Sequence, residues 1–257
     1  MNPVAAIGEA TLGVAGEVGR MSLFALRGAL AWVSGPFYAR AFASAALRFA
    51  FNALPVVGLT AIFTGAALAL NIYEGSARFN AETFLPQILG VSIVRELGPV
   101  LAALMLSGRS ASAMAAELGS MRVTDQIDAL RTLAVDPYKY LVSPRILATT
   151  LLTPLLVLVA DIIGVYGGYL VATFALDFSG PVFIRNLAEF LESRDVISGL
   201  IKAAVFGFIL STMGCYYGFA SRGGAQGVGA ATRSAVVSSA VLILAANYVM
   251  TSFFVEF

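Results

Sequence analysis

The chain contains no histidine, one cysteine and two lysines among its 257 residues. The absence of histidine excludes catalysis by a histidine base and metal binding by imidazole. Cys215 lies in an apolar run without a second cysteine, so we expect a packed thiol. A Walker loop requires lysine after glycine, and neither Lys139 nor Lys202 follows one. The chain is therefore not expected to be an enzyme, or to bind ATP, a metal or a cofactor itself.

Charge is scarce as well, because charged residues make up 12% of the chain and hydrophobic residues 59%. Soluble domains carry about 25% charged residues. Several windows of about twenty residues contain no charge, which is the length that crosses a bilayer as a helix. These features predict an all-α integral membrane protein. The net charge of +1 gives no indication of a nucleic-acid partner.

Five apolar runs are long enough to span the membrane. They cover residues 52–73, 86–108, 146–176, 198–221 and 235–255. Residues 64–67 of the first run are small, which favours close helix packing. We expect a polar loop at 177–196 and a glycine-rich loop at 221–233, which is either a flexible turn or a docking segment.

Residues 1–50 form an N-terminal segment that is apolar but interrupted by arginines. The arginines form two pairs spaced for one helix face, Arg20 with Arg27 and Arg40 with Arg48. With Trp32, this pattern favours an amphipathic helix lying in the cytoplasmic interface. The alternative is a true span over residues 21–39, which Gly35 and Pro36 would break.

Ionisable residues occur at membrane depth in three runs. Arg95 and Glu96 are adjacent, and neighbours on a helix point about 100° apart, so each is expected to meet a partner on another span. They form either a structural ion network or a ligand-facing site. Asp161 is either a proton-relay group or a packing residue hydrogen-bonded to a nearby Ser, Thr or Tyr. Lys202 lies near the end of its run, where we expect it to snorkel.

Residues 108–144 carry too much charge to lie in lipid. We predict an amphipathic helix in water at about 117–133, with Thr124 as its N-cap. Asp125 and Asp128 early and Arg131 late suit the helix dipole. Its apolar face comprises Ile127, Leu130 and Ala134. A structured helix held between two spans is suited to receive a push from a soluble partner.

The basic residues predict the orientation of the chain. With five spans and a cytoplasmic N-terminus, most of them face the cytoplasm, and the C-terminus is periplasmic. The cytoplasmic set comprises Arg20, Arg27, Arg40, Arg48, Arg109, Arg122, Arg131, Lys139, Arg145, Arg222 and Arg233.

Residues 95–145, which begin RELGPVLAALMLSGRSASAMAAELG, closely resemble the signature region of the MlaE/YrbE permeases. TGAALAL at 64–70 and GVGAATRSAVVSS at 227–239 resemble the same family. Members of this family are membrane subunits of ABC systems that move phospholipid or other lipids across the bacterial envelope. The resemblance extends from about residue 45 onward and implies a permease domain over residues 51–257.

The resemblance implies a set of partners and a location. It implies a homodimer in the bacterial inner membrane, an ABC ATPase subunit that binds ATP and Mg, and a hexameric periplasmic MCE-domain protein. A STAS-domain protein accompanies many such systems. The expected function is to move phospholipid between the inner membrane and the MCE protein and so maintain outer-membrane lipid asymmetry.

The resemblance also implies two groups of functional residues. A lipid cavity at the dimer interface would be lined by Leu68, Asn71, Ile72, Tyr73, Arg95 and Glu96. A coupling helix seated on the ATPase would present Glu117, Arg122, Thr124, Asp125, Asp128 and Arg131. Two other hypotheses compete with this one: a stand-alone ion-coupled carrier that uses Asp161 with Arg95 and Glu96, and a scaffold that only anchors the MCE protein.

Overall fold

The computed structural model describes residues 3–31, 38–78 and 82–256. Every regular element in these ranges is a helix, which confirms the all-α class. The α-helices are α1 (Pro3–Leu30), α2 (Ala39–Ala45), α3 (Leu54–Ala77), α4 (Leu85–Ser92), α5 (Gly98–Leu106), α6 (Ser112–Val123), α7 (Gln126–Thr132), α8 (Ser143–Phe174), α9 (Gly180–Phe190), α10 (Ser193–Phe219) and α11 (Gly224–Glu256). Short π-helical segments at Ala46–Ala50, Ile93–Leu97, Ser107–Ala111 and Tyr138–Val142 connect several of them.

Five helical runs in the described ranges are long and apolar enough to cross a membrane, which confirms the predicted number. They are Ala39–Ala77, Leu85–Val123, Tyr138–Phe174, Ser193–Phe219 and Gly224–Phe254. The first begins well before residue 52, because the helix continues through Pro55, which lies in the first turn of α3 where its missing N–H is harmless. The second continues past residue 108 to Val123.

Two segments expected to be loops are helical, and both predictions are wrong at those positions. Residues 177–196 contain α9, whose Phe183 is 1% exposed and packs beneath α4 and α8. In the glycine-rich segment only Gly223 and Gly224 have positive φ, and α11 starts there. Gly227 lies within α11. A Cβ at that position would lie 1.7 Å from the carbonyl oxygen of Arg222, so only glycine fits this approach.

Helix α1 is not among the helices apolar enough to span. Phe24, 6% exposed, anchors it in an aromatic cluster with Tyr138, Tyr216 and Phe219, at ring-centroid distances of 5.4, 5.5 and 5.9 Å. Trp32, Gly35 and Pro36 lie outside the described residues. The interfacial position of this helix stays a prediction.

The small residues of the first span bring α3 against α8, as predicted. A Cβ built on Gly65 would lie 1.8 Å from the carbonyl oxygen of Gly164. A Cβ on Gly167 would lie 2.3 Å from the carbonyl oxygen of Ile62. The two backbones therefore meet at distances that only glycine allows, and this contact forms one side of the helical bundle.

Candidate functional site

A polar cluster around the buried Lys202 lies between the second, fourth and fifth spans. The Glu96 carboxylate accepts hydrogen bonds from Lys202 Nζ at 2.6 Å, from Asn247 Nδ2 at 3.0 Å and from Thr251 Oγ1 at 3.0 Å. Lys202 is 2% exposed and also donates to the backbone oxygen of Arg95 at 3.1 Å. We refer to Glu96, Lys202, Asn247 and Thr251 as the Glu96 cluster. It satisfies a carboxylate and an ammonium group at membrane depth by pairing them.

Arg95 points to a different partner, as the spacing predicts. Its Nε lies 3.3 Å from Asp195 Oδ1, and Asp195 lies in the first turn of α10. The other carboxylate oxygen of Asp195 accepts the backbone N–H of Glu192 and so caps that helix. Arg95 and Glu96 occupy the π-helical segment between α4 and α5, and both meet charges on α10. The expectation that each finds a partner on another span is confirmed.

A cavity of about 230 Å³ opens beside these charges. It is lined by Val91, Ser92, Arg95, Glu96, Ser198, Lys202, Thr251 and Phe254. Two cations, one carboxylate and three hydroxyl groups thus surround a small open space between largely apolar helices. This arrangement offers partners of both signs to a charged head group.

The other residues predicted for the lipid cavity lie elsewhere. Leu68, Ile72 and Tyr73 pack in an apolar cluster around Leu89 on the side of α3 that faces α4 and α8. Asn71 is exposed, and its Nδ2 donates to the backbone oxygen of Ala67 at 3.0 Å. None of the four lines the 230 Å³ cavity within one copy of the chain. Their contact with lipid stays a prediction.

Lys202 is the functional residue whose environment the sequence reasoning misjudged. The prediction that it snorkels to the surface is wrong, because its ammonium group is buried and bonded to Glu96. The sequence contains one indication of this cluster, the four-residue spacing of Asn247 and Thr251. It places two polar groups on one face of an otherwise apolar helix.

A sharp corner joins the second span to α7. Arg122 donates to both oxygens of Asp128, at 2.9 and 2.8 Å, and Arg131 donates to the same carboxylate at 3.0 Å. These three side chains lock α6 and α7 together across the turn. Asp125 at the corner has a left-handed backbone with φ of 57°. We refer to residues 122–134 as the α6–α7 corner.

The predicted cap of this helix is wrong. The hydroxyl group of Thr124 donates to the backbone oxygen of Ser120 at 2.8 Å and so closes the end of α6. Asp125 directly precedes α7 but makes no side-chain cap bond. The helix breaks between Val123 and Gln126, where Asp125 has the left-handed backbone.

The apolar face of the corner is only partly as predicted. Ile127 is fully buried, and Leu130 packs against the same apolar cluster. Ala134 is exposed with φ of 58° and ends the helix. Leu133 is 73% exposed at the tip. This side chain and the ion-paired residues are exposed together at the turn.

Glu117 lies away from the corner. Its carboxylate forms ion pairs with Arg48 and Arg145, each at 3.0 Å. Arg145 is 8% exposed and Arg48 is largely exposed, so this bridge ties the first and third spans to the second from the interior out to the surface. The structure therefore separates Glu117 from the other five residues predicted to couple to an ATPase. The five remain together at the exposed turn.

Cys215 is fully buried, which confirms a packed thiol. The residues that the structure describes contain no group of three or more His, Cys, Asp or Glu side chains that could hold a metal ion.

Five spanning helices, a charged cavity at membrane depth and a locked polar corner define a polytopic membrane permease subunit. Residues 42–253 match the model of the family "Permease MlaE". The chain therefore belongs to the MlaE permease family, as its motifs predict.

Relatives along the chain agree with this assignment. A "probable ABC transporter permease protein" of Rickettsia bellii is 47% identical over 99% of this chain and 98% of its own length. A protein of Synechocystis with the same description is 36% identical over 78% of this chain and 76% of its own. The "intermembrane phospholipid transport system permease protein MlaE" of Haemophilus influenzae is 32% identical over 78% of this chain and 77% of its own.

Proposed function

We propose that this chain is the permease subunit of an ABC transporter that moves phospholipid between the inner membrane and a periplasmic MCE-domain protein. The observation that carries the proposal is the Glu96 cluster beside its cavity. The phospholipid-transport name of the Haemophilus relative supports the choice of substrate. In this reading the permease maintains outer-membrane lipid asymmetry and has no ATPase activity of its own.

The chemistry of the cavity suits a phospholipid head. The Arg95 guanidinium matches phosphate oxygens, and the Lys202 ammonium adds a second positive charge. Both groups are held by carboxylates within one copy of the chain. A phosphate that enters the cavity would compete with Glu96 and Asp195 for these cations, so binding and release would exchange one set of ion pairs for another.

We propose that a second copy of the chain completes the lipid cavity. Leu68, Asn71, Ile72 and Tyr73 would then line it from the first span. The exposed apolar side chains of α3, such as Phe63 at 66%, would contact the second copy or lipid. Homodimerisation would thus bring the two predicted parts of the cavity together.

The α6–α7 corner is the proposed seat of the ATPase, which would bind ATP and Mg. The description of the Rickettsia bellii relative as a probable ABC transporter permease supports this partner. A hexameric MCE protein would bind the periplasmic face, and a STAS-domain protein would bind the ATPase. The N-terminus would be cytoplasmic and the C-terminus periplasmic, as the basic residues predict.

The test reconstitutes the whole complex in liposomes and measures transfer of fluorescent phospholipid to the MCE protein with and without ATP. The double variant Glu96→Gln/Lys202→Gln removes both charges of this ion pair. Its matched control, Arg185→Gln/Glu189→Gln, removes an exposed ion pair of 2.8 Å on α9. We expect the first variant to lose ATP-dependent transfer and the control to keep it.

Three results would contradict the proposal. Transfer at the wild-type rate by the Glu96→Gln/Lys202→Gln complex would exclude the cluster from the lipid path. Transport by the chain alone, without ATPase and driven by a proton or sodium gradient, would favour the ion-coupled carrier instead. Unchanged transfer in every cavity variant that assembles would favour the scaffold.

A further inference from the structure

A second cavity lies on the flank of α8 where α9 covers it. Its volume is about 470 Å³, within the range of about 300–1,000 Å³ found for small-molecule sites. It is lined by Val94, Leu158, Asp161, Ile162, Val165, Tyr166, Tyr169, Phe183, Ile184, Leu187, Leu191 and Val196. We refer to it as the α8–α9 groove. It shares no lining residue with the cavity of the Glu96 cluster.

Asp161 is the one charged residue in this lining. It is 8% exposed, and its Oδ1 is fully buried without a hydrogen-bond partner. A Cβ on Gly98 would lie 1.7 Å from that oxygen, so glycine at position 98 makes room for the carboxylate. The expectation of a bond to a nearby Ser, Thr or Tyr is wrong within the described residues.

A buried polar group without a partner is costly, and native proteins almost always satisfy such groups. The walls around Asp161 offer no cation, because every other lining residue is apolar or tyrosine. Because Oδ1 is packed on Gly98, which does not line the groove, a molecule in the groove can reach Asp161 only through its other carboxyl oxygen. The groove is apolar along its length, so the rest of that molecule must be hydrocarbon.

The charge of Asp161 selects among lipid head groups. A phosphate would meet a carboxylate in an apolar space and be repelled. A hydroxyl group can donate to an ionised carboxylate or accept from a protonated one, so it fits either state. We propose that the α8–α9 groove binds a neutral lipid with a free hydroxyl group, of the fatty-alcohol or diacylglycerol class, through Asp161. This site does not depend on phospholipid transport at the Glu96 cluster.

The test uses the purified full chain in detergent and three photoreactive probes. Each probe has the same sixteen-carbon chain with a diazirine, and ends in a hydroxyl, a methyl or a carboxylate group. Labelled peptides are identified by mass spectrometry. We expect the hydroxyl probe to label α8 and α9 most strongly, with 1-hexadecanol competing.

Three variants sharpen the result. Asp161→Leu should reduce the ratio of hydroxyl to methyl labelling by about tenfold or more, as loss of a charge-assisted hydrogen bond requires. Ile184→Trp should fill the groove from its rim, where Ile184 is 57% exposed. Leu151→Trp is the matched control, because Leu151 is 53% exposed on α8 but lies outside the groove.

The labelling ratio separates binding from structure. If Asp161 only supports packing, Asp161→Leu will change the melting temperature but leave the ratio of the two probes unchanged, and the proposal fails. Equal labelling by the hydroxyl and methyl probes in the native chain also overturns it. Absence of label from α8 and α9 with every probe would show that the groove takes no lipid. Asp161→Asn, which keeps an acceptor oxygen, should retain part of the preference.

Discussion

Replacing Lys202 with methionine removes the ammonium group from the Glu96 cluster and leaves the carboxylate with Asn247 and Thr251 alone. Lys202 is 2% exposed, and its Nζ lies 2.6 Å from Glu96 Oε1. Breaking a buried ion pair in this way costs about 3–5 kcal/mol. Because the Glu96 side chain is 36% exposed, we expect the lower end, about 3 kcal/mol. In a chain of this size that lowers the melting temperature by about 6–12 °C.

The buried thiol of Cys215 provides the assay. It is the single cysteine of the chain, so a maleimide dye that fluoresces on reaction reports unfolding during a temperature ramp. The double variant Glu96→Gln/Lys202→Met removes both charges and should regain most of the lost stability. If the two single variants lower the melting temperature by amounts that simply add in the double variant, the groups are not coupled and the reasoning is refuted.

Three further outcomes are expected. Gly65→Ala should destabilise the chain by about 1–3 kcal/mol, because the new methyl group meets a carbonyl oxygen of α8 at 1.8 Å, whereas Gly75→Ala, in open space on the same helix, should not; equal melting temperatures would contradict this. Leu133→Asp should reduce co-purification with the ATPase and leave the melting temperature unchanged. The hydrogen bond from Tyr216 lowers the pKa of Glu17 below its usual 4.5, so α1 should dock fully above that pH and loosen as pH falls through the lowered value; hydrogen exchange of α1 measures this, and Glu17→Gln should lack the transition.

The number of spans and a close helix contact at residues 64–67 were predictable from the sequence, but not that α8 is the partner. Long windows without charge have one physical solution in lipid, which is a helix that satisfies its own backbone. The small residues at 64–67 likewise predict close approach, and Gly65 provides it. Local composition determines these features, so no knowledge of distant residues is needed.

The partners of the buried charges were not predictable, because they depend on which spans are neighbours. Glu96 and Lys202 are separated by 106 positions along the chain, yet their side chains form the shortest contact of the site. Helix α9 was missed for a different reason. Its charged residues suggested a loop, but Phe183 and Leu187, four residues apart, form an apolar stripe that packs on α4.

The uninterrupted course of the second span has a mechanical consequence. Leu85–Val123 comprises 39 residues, or about 58 Å of helix; Glu96 lies in its first third and the α6–α7 corner at its far end. About 28 residues, or roughly 42 Å, separate the two. A rod of that length works as a lever, since a tilt of about 5° at one end displaces the other by about 4 Å. The two π-helical turns within it, Ile93–Leu97 and Ser107–Ala111, are the joints where such a lever would bend.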